Sequence, residues 1–465
     1  MNQYSGNKIA IIGGGFCGIM TAVNLFAKSS KPLSVTLFNA KYPEGRGIAY
    51  QSYSDKHVLN VACQNMSAFA DDADHFLNWC KVHPHYRADG EELGSKFLPR
   101  NLYGKYLDDV LKEALQKKRA DISFETIPEE VVDIEKKDSF YEIISQTGKK
   151  ITADKIVLAT GNHLPAHPSL SDQSYTASPR YFANPWQEVA VSNTEPNETI
   201  LIIGTGLTMV DVVLGLTEKN FRGKIIALSP SGFNILAHKK HHPQRDILDE
   251  LEPPFDLNKL FRLFYKHVRN ARLRGESGET VVDAVRSQTQ VIWQQLSTAD
   301  KKRFMTHLRH LWGVARHRLP GEIHRQIQEM IAENKLEVIA GRIAGITSSK
   351  DSLTIRINLK GTDKQEILQV QRVINCTGPL TDISKFDSKL YSNLLAKKMI
   401  RPDDMKLGID ASAEGRIIDH TGEKSKSLLT LGSLLKGKLW ESTAIPELRK
   451  QAAQVAELIL SKDLE

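Results

Sequence analysis

Two glycine-rich turns, each set between an apolar run and a helical stretch, predict an α/β fold built from two like halves. The first, GGGFCG (residues 13–18), follows KIAII and leads into FCGIMTAVNLFA. The second, GTGLTM (residues 204–209), follows TILII and leads into LTMVDVVLGL. A third observation makes this a duplication: VLATG (157–161) in the first half has a counterpart in VINCTG (373–378) in the second. A repeated order of elements sets the whole architecture.

Each element follows from its local pattern. KIAII is a short apolar run, read as a buried strand; a helix is expected over about residues 16–27, and SVTLFN supplies the next strand. FYEIIS and KITADKIVLATG alternate apolar and polar residues and close on Gly161, which predicts strands ending in a glycine turn. The order restarts at Thr199, with GKIIALS as second strand, followed after an insertion by LEVIAGRIAGI, SLTIRINL and QVQRVINCTG. The insertion, residues 239–333, carries apolar residues at three-to-four spacing and no strand-like alternation, so it reads as an all-helical module. The C-terminal stretch reads as strand, turn at Gly432 and long helix. That helix needs a partner surface, and the first half is the natural one. The expected domains are therefore 1–195 with 375–465, 196–238 with 334–374, and the insertion 239–333.

The turns carry chemistry. In Gly13-x-Gly15-x-x-Gly18 the first glycine permits the tight turn, the second lets backbone approach a pyrophosphate, and the third lets helix pack on strand. The helix N-terminus then faces the anion. Both halves are thus Rossmann-like dinucleotide-binding domains by their turns, with Gly161 closing the first groove. An acidic residue is expected about 20 residues on, to hold ribose hydroxyls; Asn39 stands there and offers a neutral acceptor. In the second turn Gly204 and Gly206 are present, Met209 replaces the third glycine, and Thr208 is placed to meet a phosphate or cap the helix. Ser229, Pro230 and Ser231 follow the second strand where an arginine would mark a 2′-phosphate, which leans towards NADH over NADPH unless Lys239 or Lys240 reaches in.

Composition bounds the rest. The chain has 465 residues, 41% hydrophobic and 25% charged, with a net charge of +7. No apolar run approaches the ~20 residues of a membrane span, and no signal peptide is read at the N-terminus, so the cytoplasm is the default expectation. Cys17, Cys63, Cys80 and Cys376 are scattered without a C-x-x-C, so neither a structural zinc site nor a dithiol redox centre is indicated, and buried free thiols are expected. From Lys239 to Met330 there are 17 Lys and Arg against 11 Asp and Glu, so nearly all the positive excess lies in the helical insertion, a field that favours an anionic ligand or a solvated surface. His307 and His310 are three apart on a helix, but no third ligand is evident and no metal is expected. No aromatic platform interleaves with the basic residues, which argues against nucleic acid.

Several stretches resemble one family: GRGIAY (45–50), HVLNVACQNMSAFADDADHFLNW (57–79), FLPRNLYGKYL (97–107), GTGLTMVD, RHRLP (316–320), NCTGP and LWESTAIPELRKQA (439–452). The family is that of FAD/NAD(P)-binding flavoprotein monooxygenases, which includes FAD-dependent urate hydroxylases and amino-acid N-monooxygenases. The resemblance implies FAD in the first domain, NADH or NADPH in the second, and transfer of one oxygen atom from O2 to a small anionic substrate. By length and layout the chain looks most like the urate hydroxylases, giving urate to 5-hydroxyisourate as the leading expectation. N-hydroxylation of an amino acid is the first alternative, and a non-catalytic nucleotide sensor the second. The resemblance further implies that Arg46 and Gly47 line the FAD groove, that Leu59 and Asn60 lie beside the flavin ring, and that Gly432 and the ESTAIPE turn close over it. Arg316 and Arg318 would hold the substrate anion, with Asn60 as a third residue of the catalytic centre. A homo-oligomer is possible on this reading; a membrane or nucleic-acid partner is not expected.

Overall fold

The computed structural model of the chain describes residues 7–86, 92–239 and 245–461. The strands in chain order are β1 Asn7–Ile12, β2 Leu33–Phe38, β3 Ile122–Ile127, β4 Val131–Lys136, β5 Tyr141–Ser145, β6 Lys150–Ala153, β7 Lys155–Leu158, β8 Tyr181–Phe182, β9 Thr199–Ile203, β10 Lys224–Ser229, β11 Leu336–Ser348, β12 Leu353–Leu359, β13 Gln365–Val370, β14 Arg372–Asn375, β15 Arg416–Ile418 and β16 Lys424–Thr430. One sheet has the order β15-β16-β7-β1-β2-β3 and the other β13-β12-β11-β10-β9-β14-β8, with β4, β5 and β6 forming a separate antiparallel meander.

The duplication is explicit in the pairing. β1 lies parallel between β2 and β7, and β9 lies parallel between β10 and β14. Period-two alternation then decides what each strand buries. Ile9 and Ile11 face a layer containing the helices Phe16–Lys28, Arg100–Lys117 and Ile445–Leu460, whereas Ala10 and Ile12 face the meander side. In the second half Ile200 and Ile202 face the helix Leu207–Glu218, and Leu201 and Ile203 face the other layer. The C-terminal helix buries Leu448, Ala452, Val455 and Ile459 in the first core, so the first domain is completed by the end of the chain.

Three expected boundaries move. β8 is hydrogen-bonded to β14, and Tyr175 and Tyr181 sit in the second core, so the chain enters the second domain well before residue 195. Asn375 still pairs with Ile203 and Cys376 packs in that same domain, so the return comes after residue 376 rather than at 375. The helix Gly321–Ala332, expected in the insertion, packs Ile323 and Ile327 against the second sheet's helix layer. It is the crossover between β10 and β11, which must cover the sheet because a parallel connection has to return over one face. The remaining helices of the insertion form their own core around Leu260, Val281, Ile292 and Trp293, closed by Leu407 and Trp440 of the first domain. Among the described residues, no helix is long and apolar enough to cross a membrane.

Candidate active site

Both glycine turns have the same geometry. Gly13 has φ +111° and Gly204 φ +113°, and a Cβ on either would meet a backbone carbonyl of the neighbouring strand end, Ala159 O at 2.3 Å or Cys376 O at 2.4 Å. These two glycines are dictated by the fold. Gly18 is too, since a Cβ there would lie 1.9 Å from Gly13 O. Gly15 and Gly206 are different. Their backbones are extended, at φ −75° and −90°, which any residue adopts. A Cβ on Gly15 would touch only Gly47 Cα at 3.8 Å, and one on Gly206 would touch nothing within 4 Å. No protein contact requires these two to lack a side chain, and their bare backbone leaves room for a ligand to approach closely. Both helices also start without a side-chain cap, leaving first-turn N–H groups for an anion. The two cradles therefore fit dinucleotide pyrophosphates. Gly161, at φ +71° with open space around it, borders the first.

Asn39 follows β2 and donates Nδ2 to Tyr42 O at 2.6 Å, which fixes the amide with its oxygen beside Gly14. Fixed this way it can accept from a ribose hydroxyl. Arg46 is not free for an anion: its guanidinium pairs with Asp108 and reaches Gln51. Gly432, at φ +78° against Cys17 Sγ, has its N–H accepted by Gln451 Oε1 at 2.8 Å and its carbonyl bonded by Ser442 Oγ at 2.8 Å. Its backbone polar groups are thus committed within the protein, and its role is to form the turn. Leu59 is buried with its N–H on Leu98 O, whereas Asn60 is exposed. Thr208 lies half-buried in the first turn of the second helix, and Lys239 is exposed; Lys240 falls outside the described residues.

The arginines expected to hold a substrate anion are each paired. Arg316 Nε donates to Glu441 Oε2 at 3.0 Å, and Trp312 Nε1 to Oε1 of the same carboxylate at 2.6 Å. Glu441 has φ +64°, so the ESTAIPE turn is held in the left-handed region by a carboxylate anchored on the helical module. Arg318 is 4% exposed and bonds both oxygens of Asp283 at 2.5 and 2.7 Å. Arg286, which the sequence did not single out, pairs with Glu447 at 3.4 Å. Arg316 and Arg286 are thus matched by carboxylates of the first domain, whereas Arg318 is matched within the module itself. A sequence count of charges does not show these pairings: Glu441 and Glu447 lie 125 and 161 residues away, and Asp283, inside the counted stretch, lies 35 away.

Asn60 and Arg318 do come together around a residue the sequence did not mark. His238 Nε2 is 3.3 Å from Asn60 O, its ring lies against Phe97, and burial, reinforced by Arg318 and Arg316, lowers its pKa. A second junction joins the domains. Asp211, on the helix Leu207–Glu218, is ion-paired with Arg100 at 3.0 Å, and its carbonyl is 2.8 Å from His57 Nε2.

Residues 10–163 match the family model described as FAD-NAD(P)-binding. No curated protein matches the sequence. Among solved structures, the ornithine hydroxylase of Pseudomonas aeruginosa aligns over 99% of this chain and 100% of its own with a TM-score of 0.66 at 15% identity. The ornithine N-hydroxylase of Kutzneria sp. 744, in a structure with reduced FAD, NADP+ and L-ornithine, aligns over 97% and 98% with a TM-score of 0.62 at 14% identity. A bacillithiol disulfide reductase from Bacillus cereus aligns over 98% and 100% with a TM-score of 0.55 at 12% identity. At these identities the likeness is one of fold, and it runs the whole length of the chain.

Proposed function

We propose that this chain, whose first domain is of the FAD-NAD(P)-binding family, is an FAD-dependent monooxygenase that takes electrons from NADPH and hydroxylates the side-chain amine nitrogen of a small amino acid or diamine. One observation carries the reading: two cradles of matching geometry, in separate domains of one chain, each with a glycine (Gly15, Gly206) at a bare helix N-terminus where no protein contact excludes a side chain and a pyrophosphate would need the space. Bound flavin would supply the oxygen chemistry. The protein's part is to hold each dinucleotide by backbone and helix N-terminus, to orient the two domains, and to keep water out.

Two further observations favour an amine over the urate expected from layout. The full-length fold likeness includes proteins described as ornithine hydroxylases. The module's Arg316, Arg318 and Arg286 are each matched by a carboxylate, which weakens the case for these three as the seat of an anionic purine. For a disulfide-reductase reading the thiols divide: burial pushes Cys17 up to about 12 and raises Cys376, whereas buried Cys63 and Cys80 are hydrogen-bonded to each other, which lowers the Cys63 pKa and raises that of Cys80.

The test is anaerobic reduction of the bound flavin followed by oxygen uptake with ornithine, lysine, a diamine or urate present. The expected result is reduction by NADPH and, with one amine, oxygen uptake matched by hydroxylamine formation. Coupling to urate alone would reverse the choice of substrate. A protein unable to take up FAD would end the oxygenase reading.

A further inference from the structure

With FAD in the first cradle and NADPH in the second, electron donor and flavin sit in different domains. Productive reduction then needs those domains at one angle, although the chain passes between them in just two places, before Tyr175 and after Cys376, among the described residues. Interfaces between domains of one chain commonly permit relative motion unless specific contacts oppose it.

Such contacts converge on one helix. Leu207–Glu218 begins at Gly206, the open glycine of the second cradle. One turn in, Asp211 points out of its own domain. Its carboxylate meets Arg100 Nη2 at 3.0 Å, with side chains 12% and 19% exposed. Arg100 Nε in turn donates to Val58 O at 3.1 Å, in the segment expected beside the flavin. The Asp211 carbonyl accepts from His57 Nε2 at 2.8 Å, and His57 Nδ1 lies 2.6 Å from Ser52 Oγ. A carbonyl only accepts, so Nε2 carries the hydrogen and Nδ1 accepts from the serine. One turn further, Tyr53 packs where a Cβ on Gly215 would come within 2.7 Å of its hydroxyl. His238 on Asn60 O, at 3.3 Å, is a second and longer contact across the same boundary.

Resting on the monooxygenase reading, we propose that Asp211, Arg100 and His57 form a clamp that sets the angle of the donor-binding helix against the flavin-side segment 57–60, acting as positioning residues for flavin reduction. The polar groups of all three are engaged by protein partners. A half-buried ion pair is directional and is screened little by salt, so it resists sliding that apolar contact alone would permit. Arg100 and Asp211 also line the crevice between these segments, whose other walls are mostly apolar (Leu59, Leu207, Val210 and Leu214 among them) and supply no direction of their own.

The experiment uses FAD-loaded full-length protein, with two readouts. One is the limiting rate of flavin reduction and the dissociation constant for NADPH, by anaerobic stopped flow. The other is hydrogen–deuterium exchange in segments 52–60 and 207–218. In Asp211→Asn, FAD content and the NADPH constant are expected to stay within about twofold, while the limiting rate falls about tenfold to a hundredfold, the scale of a misplacement near 1 Å. Exchange should rise in both segments. Exchanging the charges, Arg100→Asp with Asp211→Arg, should recover most of the rate. An unchanged limiting rate in Asp211→Asn overturns the clamp. So does a slowed rate that the exchanged pair fails to recover with exchange as in wild type. If wild-type flavin is reduced by neither nicotinamide, the functional reading falls, and exchange alone decides the clamp: protection lost in both segments of Asp211→Asn supports it, and protection unchanged refutes it.

Discussion

Gly204 and Gly206 stand two residues apart in one turn, and the structure assigns them different reasons for being glycine. At Gly204, φ is +113° and a Cβ would sit 2.4 Å from Cys376 O. Alanine there carries about 1–3 kcal/mol of backbone strain and about 1–3 kcal/mol more for the forced shift of packed backbone, so Gly204→Ala should lose about 2–6 kcal/mol of stability. At Gly206 the backbone is ordinary and the surroundings are empty, so Gly206→Val should cost under about 1 kcal/mol, mostly as a poorer helix start. Its side chain would instead occupy the approach to the helix N-terminus. The nicotinamide dissociation constant is expected to rise at least about tenfold, equivalent to about 1.4 kcal/mol, with flavin content unchanged. Denaturant unfolding and anaerobic titration of flavin reduction separate the two effects. A Gly206→Val protein that binds and oxidises NADPH normally would refute the assignment of the second cradle, and a fully stable Gly204→Ala would refute the steric argument.

The same logic makes Gly15→Val a folded protein without flavin, because a Cβ there touches only Gly47 Cα at 3.8 Å; normal flavin absorbance after purification would count against it. Arg316→Ala should act on stability, losing about 3 kcal/mol as Glu441 keeps only Trp312, with little change in KM; a raised KM at full stability would return Arg316 to the substrate. His163 stacks on Phe386 at 3.6 Å with Nε2 unpartnered, and burial lowers its pKa to about 4. A histidine depressed on folding takes up its proton first in the unfolded chain, so its share of stability is present above pH ~6.5 and is lost as pH falls towards 4. His163→Phe should flatten that part of the pH–stability curve by about 3 kcal/mol; an unchanged slope between those limits would show that His163 does not titrate as described.

Local patterns in the sequence determined the two nucleotide-type turns, their flanking strands and helices, the duplication, and the return of the C-terminal helix to the first domain. All of these rest on interactions within a few residues or on a period of 2 or 3.6, which is why a single chain displays them. The roles of Gly13, Gly18 and Gly204 belong here too, since the strand–turn–helix path forces them. Tertiary structure alone decided the rest. Periodicity says that a face is buried but not against what, so β8 and the helix Gly321–Ala332 went to the wrong unit. Charge counts give the sum but not the partners, so they do not show that Arg316 and Arg318 pair with Glu441 and Asp283. Arg100 and Asp211 lie 111 residues apart and in different domains. Nothing local links them, because ion pairing depends on distance in space, and that distance is set only when the two domains dock.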